Sequence, residues 1–87
     1  MYKIRLTDAI QIDTYLILKP EVELEFDEYS TTTEIAANTT LQALEEVVRT
    51  QLDQLAQRVI KSPDKVKSIL ANVSVDPRFK QLIRKYK

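Results

Sequence analysis

The sequence contains no cysteine, no histidine and no glycine among its 87 residues. Without cysteine there can be no disulfide framework, no thiolate metal ligand and no thiol nucleophile. The absence of histidine removes the commonest general base and the commonest neutral metal ligand. The absence of glycine excludes phosphate-binding loops of the Walker A and dinucleotide-binding types. A catalytic site would need Asp, Glu, Lys, Tyr, Ser and Thr alone, and we therefore predict a protein that is not an enzyme and uses no cofactor or metal ion.

The sequence also lacks a long apolar segment. Its first residues, Met1 to Arg5, do not contain the apolar region of a signal peptide. No apolar run approaches the roughly 18 residues that span a bilayer. These absences predict a protein that does not use a membrane and is cytoplasmic, or is delivered by something other than a signal peptide. No pattern indicates a small-molecule substrate.

The length and composition predict one globular domain over residues 1–87. Apolar residues make up 44 % of the chain and charged residues 30 %, which are ordinary values for a folded protein. A chain of this size is close to the limit at which a single core outweighs the entropy lost on folding. Such domains often gain stability by oligomerising.

The charges are divided unevenly along the chain. Residues 1–60 carry five basic and eleven acidic side chains, a net charge of −6, and residues 61–87 carry eight basic and two acidic side chains, a net charge of +6. This division indicates a charged partner, head-to-tail self-association, or the folding of one half of the chain onto the other.

The first part of the domain, residues 1–28, alternates between apolar and polar side chains. Three such runs, at residues 2–6, 10–19 and 21–27, have the period of strands. Proline fixes its own φ and donates no backbone hydrogen bond, so Pro20 separates the second run from the third. We predict a three-stranded antiparallel sheet that is apolar on one face.

The second part, residues 39–61, has the spacing of a long amphipathic helix. Its apolar residues recur in steps of three and four, and Thr39 with Gln42 fits a capping box at its start. About twenty residues of helix span roughly 30 Å. The preceding Ser/Thr-rich connection, residues 29–38, is compatible with a loop or with a helical turn at residues 34–37.

The third part, residues 62–87, predicts two short helices. Ser62-Pro63 and Asp76-Pro77 are both helix-start signals, and Asn72 is a candidate left-handed terminator between them. The predicted fold class is therefore α+β, a three-stranded antiparallel sheet packed on one long helix and followed by two short C-terminal helices. The predicted core of the sheet and long helix consists of Ile4, Leu6, Ile12, Leu16, Leu24, Phe26, Leu44, Val48, Leu52 and Leu55.

The third strand carries a row of acids, which we call the acidic row: Glu21, Glu23, Glu25 and Asp27. Alternate residues of a strand are about 6.6 Å apart, close to the roughly 7 Å between successive phosphates of a nucleic-acid strand. The row is therefore a candidate partner-binding face that mimics phosphates. The alternative is a solvated outer face whose charges are balanced across the strands by Lys3, Arg5 and Lys19.

The last helix carries the second candidate, the basic tail: Arg78, Lys80, Arg84, Lys85 and Lys87. Basic helices with aromatic residues bind phosphates, and residues 62–86 are long enough for a helix-turn-helix reader of DNA. However, Phe79 and Tyr86 are in register with Leu82 and Ile83, which predicts that these aromatic side chains pack in the core. Cations near a helix C-terminus also stabilise its dipole without any ligand.

Two functions follow from these patterns. The first is a non-enzymatic protein-interaction or assembly module that acts as a homo-oligomer through its charged faces. The alternative is a nucleic-acid-binding regulator that uses the basic tail. Small size and an α+β composition are also associated with accessory proteins of phages and mobile elements. An enzyme would require a buried carboxylate with a raised pKa near Asp13 or Glu25.

Overall fold

The computed structural model describes all 87 residues and confirms the α+β class. Four strands come first, followed by three helices, and no residue has a positive φ. The elements are β1 (Tyr2–Thr7), β2 (Ile10–Asp13), β3 (Leu16–Leu18), β4 (Glu21–Phe26), α1 (Thr33–Val59), α2 (Pro63–Ala71) and α3 (Pro77–Tyr86).

The predicted three-stranded sheet is wrong, because the strands form two separate two-stranded antiparallel sheets. β1 pairs with β4, and β2 pairs with β3. The second predicted run is a hairpin, since the chain reverses after Asp13, whose carboxylate accepts a 2.7 Å hydrogen bond from the Thr14 N–H. The Asp8 N–H donates to the Pro20 carbonyl at 3.1 Å. The two sheets are therefore successive sections of one long ribbon, interrupted at residues 8–9 and 19–20.

The long helix begins earlier than the capping-box pattern predicts. Thr32 is its N-cap, and the Thr32 hydroxyl accepts a 3.2 Å hydrogen bond from the Ile35 N–H. Residues 33–38, part of the unassigned connection, are therefore helical, and Thr39 lies inside α1 rather than at its start. With 27 residues, α1 is about 40 Å long, and it sets the 53 Å longest dimension of the molecule.

The two short helices begin at the predicted prolines. Asp76 caps α3, because its carboxylate accepts a 2.9 Å hydrogen bond from the Arg78 N–H, whereas Ser62 makes no such bond at the start of α2. The predicted left-handed Asn72 is wrong. Its backbone is extended, at φ −84° and ψ 110°, and its side-chain oxygen accepts a 3.0 Å hydrogen bond from the Ser74 N–H.

The core lies between α1, the β2–β3 hairpin and the two short helices. Four residues of the predicted core are buried in it, whereas Leu16 is exposed because it follows the turn of the hairpin. The short helices contribute to the core as the apolar stripe of the last helix predicts, since Phe79 and Ile83 of α3 are completely buried. The buried cluster consists of Ile10, Ile12, Leu44, Val48, Leu52, Ala56, Val66, Ile69, Val75, Phe79 and Ile83.

The molecule has two unlike ends. The ribbon end consists of β1, β4 and residues 33–43 of α1, and the helical end consists of the β2–β3 hairpin and residues 44–86. In the ribbon end only Ala36 and Thr40 are buried, and their small side chains let the ribbon approach the helix closely. The inward-facing side chains of the ribbon are all half-buried: Tyr2, Ile4, Leu6, Val22, Leu24 and Phe26.

Candidate interaction surfaces

The acidic row is paired with cations of the neighbouring strand. The Nε atom of Arg5 lies 2.7 Å from Glu21 Oε1, and the Nζ atom of Lys3 lies 3.5 Å from Glu25 Oε1. The hydrogen bond to Glu21 raises the pKa of the Arg5 guanidinium, with a further contribution from the charge of Glu21. Glu23 lies opposite Arg5 in the register but forms no ion pair. The outer face of the β1–β4 ribbon therefore carries cations on β1 beside the carboxylates of β4, rather than carboxylates alone.

The last member of the acidic row has a local structural role. Asp27 follows β4, and its carboxylate accepts a 2.9 Å hydrogen bond from the Tyr29 N–H while its carbonyl accepts from Ser30 and Thr31. These bonds hold the turn that leads into α1. Lys19, the third cation predicted to balance the row, is exposed and makes no ion pair.

The first member of the basic tail joins two segments of the chain. One guanidinium nitrogen of Arg78 lies 2.9 Å from Asp8 Oδ2, and a second lies 2.8 Å from Asp76 Oδ2. Hydrogen bonds from Arg78 lower the pKa of both carboxyl groups, and the same bonds raise the pKa of the guanidinium. We call this group the Arg78 clasp, because it links the ribbon at Asp8 to the start of α3.

The other four cations of the basic tail make no ion pair. Lys80, Arg84 and Lys87 follow one another at steps of four and three, so they share one face of α3. Lys85 lies on the face that Arg78 occupies, and its ammonium group is 5.8 Å from the centre of the Tyr86 ring. The structure therefore divides the basic tail into two surfaces.

The aromatic residues of α3 support the fold. Phe79 is completely buried, as its register with the apolar stripe predicts. Tyr86 is half-buried, and its hydroxyl donates a hydrogen bond to Asp53 of α1. That bond raises the pKa of the Tyr86 hydroxyl. Phe79 is therefore not free to stack on a base.

A groove runs between α1 and α3 on one side of the helical end. Its volume is about 630 Å³. Its floor is apolar, and the charged side chains on its rim include Glu45, Arg49 and Lys85 together with the Asp8–Arg78 pair. The floor is formed by Leu41, Leu44, Val48, Leu52 and Leu82.

The tip of the β2–β3 hairpin is an exposed apolar projection. Tyr15 is 98 % exposed and Leu16 57 % exposed, and Ile17 beside them is also exposed. The side-chain amide of Asn72 donates a 3.0 Å hydrogen bond to the Thr14 hydroxyl, which ties the tip to the loop before α3. Residues 10–19 were predicted as one strand from their alternation. The same residues contain a signal for the tip, since Asp13-Thr14 is a favourable turn sequence.

The acidic side chains show no arrangement typical of catalysis. No group of three His, Cys, Asp or Glu residues is placed to hold a metal ion. Asp13 and Glu25, the carboxylates on which an enzymatic function would depend, are both exposed. The absence of enzymatic activity nevertheless stays a prediction.

Comparisons with known proteins add no relative to these observations. No protein-family model, curated protein or solved structure matches the chain. None of the three helices has the length and apolarity required to cross a membrane. The groove and the hairpin tip were not predicted from the sequence.

Proposed function

We propose that this chain is a non-enzymatic protein-interaction or assembly module that acts as a homo-oligomer. The main support is its accessible surface, which is 6315 Å² for a mass of 10.1 kDa. A monomeric globular protein of that mass exposes roughly 5,300 Å². The excess of roughly 1,000 Å² is comparable to the ~800 Å² that each partner contributes to a standard protein interface.

The shape supports the same proposal. The radius of gyration is 16.2 Å, whereas a compact chain of 87 residues has a value of about 12 Å. The ribbon end accounts for much of this extension, because it is only one ribbon and one helix thick. An elongated monomer with half-buried apolar side chains gains more from association than a spherical one does.

The charges would direct this association rather than provide most of its free energy. Opposite charges on different surfaces raise the rate and the specificity of encounter. Exposed charges are screened beyond about 10 Å at 0.1 M salt, so the association should weaken as salt is added. The apolar surface should retain part of the association at high salt.

The experiment that tests the proposal is light scattering across a size-exclusion peak, at low and high salt and at several loading concentrations. We expect a mass above 10.1 kDa that rises with concentration and falls with salt. Absorbance at two wavelengths in the same run detects bound nucleic acid. A clean monomer at every concentration and both salts contradicts the proposal.

Nucleic-acid binding is the second candidate, and it is supported by the unpaired face of α3 formed by Lys80, Arg84 and Lys87. A nucleic-acid absorbance that high salt removes would favour it. Reversing these three charges to Glu should then abolish that absorbance. Reversing Lys61, Lys65 and Lys67, which lie outside α3, is the matched control.

A further inference from the structure

We infer that the hairpin tip of one copy inserts into the α1–α3 groove of a second copy. This inference rests on the proposed homo-oligomer and names the two surfaces that would form it. One surface projects and the other is concave, and both are apolar. The tip of the same copy does not line its own groove.

The tip is held in a fixed position by its surroundings. Ile10 and Ile12 of β2 are buried in the core, and the Gln11 carbonyl accepts a 2.9 Å hydrogen bond from the Asp76 N–H. The Gln11 side chain donates to the carbonyls of Asp13 and Thr14. A tip that is already ordered loses little conformational entropy when it binds.

The groove has the dimensions of a binding site. Its volume of about 630 Å³ lies within the roughly 300–1,000 Å³ typical of protein pockets. Its apolar floor matches the apolar side chains of Tyr15 and Leu16. Because α3 covers only part of the adjacent face of α1, Leu41 at one end of the floor remains 46 % exposed.

The charges of the two surfaces are complementary. The tip carries one carboxylate, Asp13, and no cation. On the groove rim, Arg49 and Lys85 form no ion pair, whereas Arg78 is neutralised by Asp8 and Asp76. Glu45 is the remaining acid of the rim, so the charged residues that line the groove carry a net charge of +1: Asp8, Glu45, Arg49, Arg78 and Lys85.

A contact between two different surfaces can repeat from copy to copy. Such heterologous contacts form rings when the rotation closes and open chains when it does not. The excess surface of roughly 1,000 Å² would then be shared by a tip contact and a groove contact. Each interface would bury about 1,000 Å² in total, the lower limit for a specific contact, so the association should depend on concentration.

The first test compares matched variants by light scattering under conditions in which the wild type associates. Tyr15→Lys should reduce the mass to that of a monomer, whereas Tyr29→Lys, at a position 92 % exposed outside the tip, should not. Leu41→Lys should have the same effect as Tyr15→Lys. Its control is Ile35→Lys on the same helix, at a position that is 57 % exposed and does not line the groove.

The second test mixes the two defective variants. Tyr15→Lys retains an intact groove and Leu41→Lys retains an intact tip, so an equimolar mixture should form a 1:1 dimer of twice the 10.1 kDa chain mass and grow no further. Arg49→Glu combined with Lys85→Glu changes two exposed positions and replaces Leu41→Lys if that variant does not fold.

The outcomes separate this inference from the proposal on which it rests. A wild type that is monomeric under all conditions contradicts both. A wild-type oligomer that survives Tyr15→Lys and the groove variants contradicts the tip-to-groove contact alone. Defective variants that do not complement each other also contradict it, because a contact between two identical surfaces would behave in that way.

Discussion

The helical end and the ribbon end bury their apolar side chains to different extents. In the helical end, the hairpin, α1 and the two short helices surround Phe79 and Ile83, and eleven residues form a buried cluster. In the ribbon end, a two-stranded ribbon covers one side of a single helix, and only Ala36 and Thr40 are buried. Apolar side chains are removed from water only when neighbours cover them from several directions. The stability of this protein should therefore reside in the helical end, and the ribbon end should unfold more readily.

Truncating one phenylalanine in each end is the strongest test of this difference. Phe79→Ala should lower the free energy of unfolding by about 3–5 kcal/mol, because it leaves a cavity in the densest part of the core. Phe26→Ala should cost only about 1–2 kcal/mol, because its side chain is only partly buried in the native state. Urea unfolding of both variants, followed by circular dichroism, measures the two values. Equal losses would show that the ribbon end is packed as well as the helical end.

Enlarging a small residue under the ribbon should disturb that end alone. Ala36 is completely buried between α1 and the ribbon, so Ala36→Leu should destabilise the contact by about 1–3 kcal/mol through overpacking. Native-state hydrogen exchange should then speed up for β1 and β4 and remain unchanged for α3. Ala37→Leu, at the exposed neighbouring position, is the control. Faster exchange in α3 as well would mean that the two ends unfold as one unit.

Removing the Arg78 clasp should have the smallest effect, and that effect should depend on pH. Arg78 lowers the pKa of Asp8 and Asp76 in the folded state. The stability from these carboxylates is therefore present above their unfolded pKa of about 3.9 and is lost as the pH falls through the lower folded values. Arg78→Gln should cost about 1 kcal/mol at pH 7, since the guanidinium is partly exposed, and less at pH 2.

Urea titrations of the wild type and Arg78→Gln at both pH values measure this difference. Lys80→Gln, which removes a nearby cation without an ion pair, should show no such pH dependence. A loss from Arg78→Gln that is the same at pH 7 and pH 2 would show that the clasp does not act through its carboxylates.

The parts of the fold that depend on local pattern could be predicted from the sequence. The alternation of the acidic strand, the apolar stripe of α1 and the Ser-Pro and Asp-Pro helix starts each identify an element. The strand pairing could not be predicted, because the hairpin at Asp13-Thr14 interrupts a run whose alternation continues through the turn. The start of α1 was missed because Thr32 and Thr39 both have the chemistry of an N-cap, and only the packing of Ala36 against the ribbon favours the earlier one.

The candidate surfaces could be predicted from the sequence less completely than the fold. The acidic row and the basic tail are sequence features, but the structure pairs Glu21 and Glu25 with β1 and places Arg78 in the clasp. The alternation of the strands had indicated the pairing of the acidic row with Lys3 and Arg5, whereas the contact of Arg78 with Asp8 joins residues 70 positions apart and follows from no spacing rule. The groove could not be predicted for the same reason, because it forms only where α1 and α3 pack against each other.

The negative φ of every residue has a consequence for how the chain can vary. No position depends on the conformational freedom of glycine, so backbone geometry imposes almost no residue preference beyond the exclusion of proline from the interiors of helices and strands. A complete substitution scan of this protein would therefore map packing and contacts with little interference from backbone strain. Exposed positions that tolerate few substitutions in such a scan would identify the surfaces under selection, including any contact between copies.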